Sequence, residues 1–557
     1  MRFIATLHAT PAAARRADAA HDAFAARHGG ADSWAAEGVR LSTAGAATPG
    51  SGVVEDAGTR TVAPYRLVLE DGTPGRLRTE VGRAAVARAL SDGAEGLVAP
   101  FCAVRAGPRR LAAVTDFCGH ARIFVHRGPE MAIVTNCIAS AQATLGRALD
   151  EEAVLAFAAG GYLPDDRTFH AGLRQMRPME RLTLEAAPEG LVARSVLAPW
   201  PALDRPDPDA EPRAARVLSG IARSLAGATE GPITLGLSGG RDSRLMAAVF
   251  LHAGAEVDLY TMDKFAEETA VARDLAARLG PRAPHRVTEV PTNAAGELFD
   301  PFESARVLVE HHAGMQESGM VGRADPAGLR TPFLGDGAVQ VSGAAGELLH
   351  GQLYPKRRGT REVDLGKLDM DRAAAIASIP KRVVQKGGIS RAAIRVFARA
   401  LTAKLSEAPP LIDGMRILDW YYLHHKQRRW SSSASNNRVV APMVAPGFAF
   451  AALTMPTADI ARSIVPRRLT EALVPEWAGV PYVTGQAGLT ARRPRVSQGV
   501  ADAVLERAEG HDLLRHAFDL DDLRGIAGAR WDETRPDLRD ALFKRVLWLC
   551  EVIDQFG

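Results

Sequence analysis

Cysteine is scarce in this chain. The four cysteines in 557 residues (Cys102, Cys118, Cys137 and Cys550) form no CxxC pair. That excludes a zinc ribbon and a disulfide framework, and it predicts reduced thiols in a cytoplasmic protein. Long apolar runs are missing as well. No charge-free stretch of about 18 apolar residues occurs, so no membrane span is expected. The start, MRFIATLHATPAAARRADAAHDAF, lacks the apolar core of a signal peptide and carries its arginines after the apolar piece. A charge excess is lacking too. The 68 Lys and Arg against 65 Asp and Glu leave a net charge of +3, which gives no footing for a nucleic-acid surface. The basic runs Lys356-Arg357-Arg358 and Lys426-Gln427-Arg428-Arg429 read as solvated faces, with a possible role in steering an anionic nucleotide.

What is present fits a soluble, multi-domain protein. At ~100–200 residues per domain the length predicts two to four domains. One break stands out, PWPALDRPDPDAEP at 199–212, whose five prolines cannot continue a helix or a central strand. It predicts a first domain over 1–200, a linker over 201–212 and a second domain over 213–557. Before the break, LVAPFCAVRAG, RRLAAVTDFCGHARIFVHRG and MAIVTNCIAS read as strands, and ERLTLEAAPEGLVARSV as a hairpin. With a helix near 150–159, they predict an α+β sandwich. After the break the rhythm alternates. A helix marked by Val217, Ile221 and Leu225 precedes the strand ITLGL (233–237), and a helix follows over about 243–253. VDLYT (257–261) is a strand, Ala272, Leu275, Ala276 and Leu279 mark a helix, and RVTEV (286–290) is a strand. That alternation predicts a parallel, doubly wound sheet. Beyond 360 the chain reads mostly helical.

The chemistry concentrates in LGLSGGRDSRLM, 235–246. Gly239 and Gly240 sit where a buried strand turns into a helix, so backbone N–H groups can approach an anion closely. The helix N-terminus adds a positive end. Ser238 and Ser243 offer hydroxyl donors. Asp242 is unsuited to touching phosphate directly, but it suits a Mg²⁺ ligand that bridges to phosphate oxygens. No GxxxxGK[ST] loop is present.

This strand-SGGxDS-helix pattern resembles the pyrophosphate loop of the N-type ATP pyrophosphatases, and among them the asparagine synthetase superfamily. VSGAAGELLHGQ (341–352) is similar to that family's SGEGSDELFGG: Ser342, Gly343, Leu349 and Gly351 match, and Glu347 falls on its second Mg²⁺-binding carboxylate. Pro442-Met443-Val444-Ala445-Pro446 resembles PFLDP, with Ala445 in place of the aspartate. Asp116-Phe117-Cys118-Gly119-His120 is similar to the DrxG turn of the glutaminase-like domain, and Gly161-Tyr162 through Arg177-Pro178 to the segment leading into the linker. The resemblance implies a glutaminase-like (Ntn-type) α+β sandwich followed by an α/β ATP-pyrophosphatase domain (adenine nucleotide alpha hydrolase-like) with a helical C-terminal part. It implies ATP and Mg²⁺ as cofactors, with Asp242 and Glu347 as metal ligands. By position it assigns Leu235, Leu237, Ser238, Gly239, Gly240, Asp242, Ser243, Thr261, Met262, Ser342 and Gly343 to the nucleotide.

Two departures narrow the expected reaction. The family's glutaminase cysteine stands at residue 2, where this chain has Arg2, and a guanidinium is no nucleophile. The family's glutamate in SGEG is Ala344 here. Both argue against making asparagine from glutamine and aspartate. The amine must then come from the substrate or a second molecule. The SGxxGELLHG form is similar to lasso peptide cyclases. That branch implies adenylation of an Asp or Glu side chain of a leader-free core peptide, followed by attack of the peptide's own N-terminal amine. It also implies a leader-binding protein and a leader protease as partners. A β-lactam synthetase-like enzyme, an ammonia-using synthase, a tRNA-modifying pyrophosphatase and an inactive scaffold stand as alternatives. Candidates for a general base are His350 and the residues of DWYYLHHKQRRW (419–430), Tyr421 first, with Tyr422, His424 and His425. Lys264 follows the second strand of the parallel sheet and is a candidate phosphate contact.

Overall fold

Successive side chains of a strand point to opposite faces, and in Arg2–His8 both faces are buried. Phe3, Ala5 and Leu7 join one apolar cluster, while Ile4 joins another with Phe24 of the helix Pro11–His28. Such a strand must lie between a second sheet and a helix. The computed structural model has that arrangement. It describes the chain except residues 46, 48–50, 201–206, 264, 289–298, 323–338, 358–361, 380–386, 413, 431–437, 484–495 and 529–535.

Two six-stranded antiparallel sheets face each other. The first runs in the order Arg174–Gln175, Phe124–Arg127, Met131–Thr135, Arg2–His8, Val39–Ala44, Asp32–Ala36. The second runs Gly190–Leu197, Glu180–Ala187, Arg110–Thr115, Cys102–Gly107, Thr59–Ala63, Gly52–Asp56. Phe3, Leu7 and Leu41 from one sheet pack against Val104, Leu111 and Leu182 from the other. Outside the second sheet, Ala103 and Val114 meet Ala85, Val86 and Ala89 of the helix Glu80–Ser91. The hairpin read at ERLTLEAAPEGLVARSV pairs Glu180 with Leu197 through Ala187 with Gly190.

The chain then changes architecture. Five parallel strands run in the order His285–Thr288, Val257–Met262, Ile233–Gly236, Val339–Val341, Val439–Val440. The helices Asp242–His252 and Ala266–Leu279 make the first two crossovers. Strand order reverses between Ile233–Gly236 and Val339–Val341, and in such sheets ligands bind at that switch, beyond the carboxyl ends of the strands. The rest is mainly helical, including Arg391–Ser406, Pro446–Thr454, Val465–Leu473, Gln498–Glu509 and Pro536–Phe556.

Two expectations need correction. The helix Ala210–Ala228 starts inside the predicted linker, because Pro212 lies in its first turn, where a missing N–H costs nothing. The basic run at 426–429 is not a solvated face. Arg428 and Arg429 are buried against the first half of the chain. Arg428 Nη2 donates to Asp166 Oδ1 (2.6 Å), and Arg429 donates to the Asp165 carbonyl (2.8 Å) and to Gln175 Oε1 (2.5 Å). Lys404 reaches the other oxygen of Asp166 at 2.5 Å. Burial raises the Asp166 carboxyl, but Arg428, Lys404 and His425 overcome it and hold the group well below the usual carboxylate range. In the other basic run, Lys356 and Arg357 are exposed, and Arg358 lies outside the described residues. No helix among the described residues is long and apolar enough to cross a membrane.

Candidate functional site

Two loops leave the carboxyl ends of the strands that flank the switch. The first, Ser238 to Arg241, follows the strand Ile233–Gly236 and enters the helix Asp242–His252. Ser238 Oγ accepts from the Gly240 N–H (3.0 Å) and lies 2.7 Å from Ser243 Oγ, so the two serines tie the loop across its own turn. Arg244 fixes its outer side. This arginine is buried, donates to the carbonyls of Gly239, Val480 and Pro481, and lies 3.8 Å from the Tyr482 ring centroid. The Val483 N–H donates to the Gly239 carbonyl at 2.9 Å. A β-carbon on residue 239 would sit 2.4 Å from Val483 Cγ2, so any larger residue would push Val483 off the loop. Arg244 was not among the candidates, although an arginine entering the apolar run LMAAVF was an available signal.

The second loop follows the strand Val339–Val341. The Ser342 N–H donates to the Val440 carbonyl (2.8 Å), and Ala345 turns through the left-handed region at φ 72°. A short 3₁₀ turn, Gly346–Leu349, then carries Glu347. This loop packs onto the N-terminus of the motif helix. A β-carbon on Gly343 would approach Asp242 Cβ to 3.0 Å, and one on Gly346 would meet Asp242 Cγ at 2.3 Å. The glycines therefore let Glu347 and Asp242 stand close together.

Electrostatics records that closeness. Burial raises the Glu347 carboxyl, the Asp242 carboxylate raises it further, and a hydrogen bond from Tyr422 acts against both. The Tyr422 hydroxyl lies 2.6 Å from Glu347 Oε2 and 2.8 Å from Gln427 Oε1. With one proton to give, it donates to the carboxylate and faces the amide of Gln427 on its other side. His350 Nε2 lies 3.6 Å from Asp242 Oδ1. Tyr354 anchors the loop from behind. Its hydroxyl donates to Asp419 Oδ2 (2.7 Å), which also receives Arg416 Nη1 (2.6 Å), all of them buried.

The structure thus gathers Asp242, Glu347 and His350, but Tyr421 is not part of the cluster. The helix Arg416–Tyr421 widens into a π turn over Tyr422–Lys426 before resuming at Gln427. Adjacent helical residues face about 100° apart, so Tyr421 and Tyr422 cannot both reach Glu347, and Tyr422 is the one that does. Tyr421 points the other way, with its hydroxyl 2.8 Å from that of Tyr162. His424 and His425 are packing residues. The ring of His424 lies 4.8 Å from Phe117 and 5.5 Å from Trp420, and burial with nearby Arg428 pushes it down to about 3. Leu235 and Leu237 bury their side chains, and the N–H and carbonyl of Leu237 are taken by the Tyr260 carbonyl and the Thr261 hydroxyl. Thr261 is buried at the strand end and Met262 half-buried beside it, while Lys264 lies outside the described residues. The turn at Asp116 is structural: its carboxylate accepts four backbone N–H groups, from Phe101, Cys118, His120 and Ala121. Cys118 Sγ then donates to the carbonyl of Val444, joining this turn to the PMVAP segment (3.3 Å).

Among the described residues, no group of three or more His, Cys, Asp or Glu side chains forms a metal cage. Two juxtaposed carboxylates beside a glycine loop at a helix N-terminus fit Mg²⁺, which takes one or two protein carboxylates and fills its remaining positions with water and phosphate oxygens.

No protein-family model matches the chain, and no curated protein matches it. Solved structures similar to part of it include the following two. One is a glutamine phosphoribosylpyrophosphate amidotransferase from B. subtilis complexed with ADP and GMP, at 10% identity over 53% of this chain and 69% of that chain, with a TM-score of 0.24. The other is described as the allosteric regulatory enzyme of purine biosynthesis, at 10% identity over 52% of this chain and 80% of that chain, with a TM-score of 0.25. Likeness this slight decides nothing about the chain's activity.

Proposed function

We propose that the protein is an ATP-dependent amide-forming ligase that releases AMP and pyrophosphate, and that its acceptor is a peptide whose own amine closes a macrolactam, as in lasso peptide cyclases. The observation that carries the reading is the meeting of Asp242 and Glu347 across the switch of the parallel sheet, where Gly343 and above all Gly346 leave room for the Asp242 side chain.

The chemistry requires activation, because a carboxylate is a poor acyl donor to an amine. Adenylation supplies a leaving group. The Gly239 N–H and the start of the motif helix suit the phosphates, while the Gly240 N–H bonded to Ser238 and the Ser238–Ser243 tie keep that loop in shape. Mg²⁺ held by Asp242 and Glu347 would supply neutralisation of the departing pyrophosphate. Tyr422 orients Glu347 and favours its ionised form. His350, beside Asp242, is the candidate to take a proton from the attacking amine. Folding of the peptide within the site would make amide formation a proximity-assisted step.

The test is mass spectrometry of a synthetic leader-free core peptide, from a short precursor gene beside this one, incubated with protein, ATP and Mg²⁺ while AMP is followed. The expected result is loss of one water with AMP formed, both abolished in Asp242→Ala. AMP formation with ammonia or small amino acids, and no dehydrated peptide, would move the reading to another amide-forming branch. Absence of AMP under all conditions, with candidate partner proteins added, would favour an inactive scaffold.

A further inference from the structure

A second constellation lies away from the paired carboxylates. A cavity of about 1030 Å³ opens where the start of the first sheet, the helices Pro11–His28 and Ile138–Leu145, the helix Pro301–His312 and the end of Pro536–Phe556 come together. On its wall is Cys137, the one cysteine of the four that is not buried. It stands at the N-cap of Ile138–Leu145. Its Sγ lies 3.7 Å from His28 Nε2 and accepts from Ser140 Oγ at 3.3 Å. Helix N-terminus, imidazole and hydroxyl all favour a thiolate. Burial pushes the Cys137 thiol up, but His28, Ser140 and the charge of Arg2 outweigh it and bring the group down to about 7.

The cavity is also positive. Arg2, Arg27, Arg147 and Arg306 line it, against Glu310 and Asp554. Glu310 is taken by Arg27 at 2.5 Å, and Asp554 by Arg507 at 2.5 Å. The guanidinium groups of Arg147 and Arg306 make no ion pair or hydrogen bond among the described residues. His311, on the same wall, is pushed down to about 4 by burial and by Arg2 and Arg122.

We propose that Cys137 is a thiol–disulfide exchange site: its thiolate, paired with His28 in an arginine-lined cavity, takes a mixed disulfide from small disulfides that carry carboxylates. Sγ of Cys137 attacks one sulfur of the incoming disulfide, whose S–S bond breaks. A new S–S bond forms at Cys137, and the other half leaves as a thiolate that takes its proton from solvent. Cys137 is oxidised and the departing half is reduced, so no further oxidant is required. Arg147 and Arg306 receive the carboxylates.

The test uses the intact, unliganded protein and two disulfides, the dianionic bis(carboxynitrophenyl) disulfide and the uncharged dipyridyl disulfide, with release of the leaving thiol followed by absorbance. A thiol near pH 7 is about half ionised there, and after correction for its lower nucleophilicity it outpaces an ordinary cysteine about threefold. The expected result is one fast thiol per chain, lost in Cys137→Ser, with a rate that climbs through a midpoint near 7. The dianionic reagent should gain further at low salt, and that gain should disappear in the double variant Arg147→Gln, Arg306→Gln, whose exposed side chains leave the fold intact. The proposal is overturned if no native thiol outpaces a cysteine peptide, if fast reaction persists in Cys137→Ser, or if the charge preference survives in the double variant.

Discussion

The Tyr422 hydroxyl sits 2.6 Å from Glu347 Oε2, joining the helical part of the chain to the loop that faces Asp242. Glu347 is held raised by burial and by Asp242, and this hydrogen bond is the largest of the contacts that draw it back toward the ionised form. Tyr422→Phe should let the carboxyl rise further. Because the proposed role needs Glu347 ionised, the acid limb of AMP formation should move to higher pH, and the rate at neutral pH should fall about 10–100-fold. A pH profile of AMP release checks this, and an unmoved acid limb would count against the role given to Tyr422.

Gly346→Ala should separate folding from turnover. Its methyl would occupy the space of the Asp242 carboxyl group. Asp242 or the loop must shift by around an ångström, and a shift of that size costs about 100-fold in a positioned reaction. Thermal melting should change little while ATP consumption collapses. Wild-type turnover in this variant would mean that the two carboxylates need not meet.

Stability should depend on Glu70. Burial raises this carboxyl to about 7, against the Gly447 N–H that donates to it at 2.8 Å. A raised folded value means a stabilising contribution fully present below the unfolded value of 4.5, lost as the pH rises through about 7. Glu70→Gln should therefore be more stable than wild type above that pH, by on the order of 2 kcal/mol, and similar to it near pH 4. Urea melts at several pH values measure the difference.

Asp166→Ala should be among the most damaging substitutions outside the site. It leaves Arg428 and Lys404 buried beside an empty position. Breaking one partner of a buried ion pair costs about 3–5 kcal/mol, chiefly from the charge left behind. Denaturant unfolding should show that loss, whereas Arg399→Ala, which removes an exposed pair with Glu152, should stay within about 1 kcal/mol.

The glycine loop and three of the five parallel strands were readable from local chemistry, as apolar runs ending in glycines or turn residues, whereas the strands Val339–Val341 and Val439–Val440 are too short to stand out. The hairpin at 180–197 was legible from local chemistry too. The Asp242–Glu347 pairing was legible through the resemblance of the two motifs to a family pattern, because no spacing within one chain brings positions so far apart together. The choice between Tyr421 and Tyr422 was not. Adjacent helical residues differ in facing by about 100°, and nothing in DWYYLHHKQRRW says which of the two turns toward the loop of Glu347. Arg428 and Arg429 misled in the opposite direction. A basic run normally faces water, and only the fold shows that acceptors at Asp165, Asp166 and Gln175 await it.

The stretch from Arg416 to Arg429 therefore belongs to neither half alone. One end of it holds Tyr422 against Glu347, and a few residues later two guanidinium groups are sunk into the antiparallel sandwich. A chain cut at the proline-rich break would take both guanidinium groups away from Asp165, Asp166 and Gln175 and uncover the apolar side chains packed around them, so the second half expressed alone should be poorly soluble. The sandwich thereby acts as a clamp on the helical stretch that presents Tyr422.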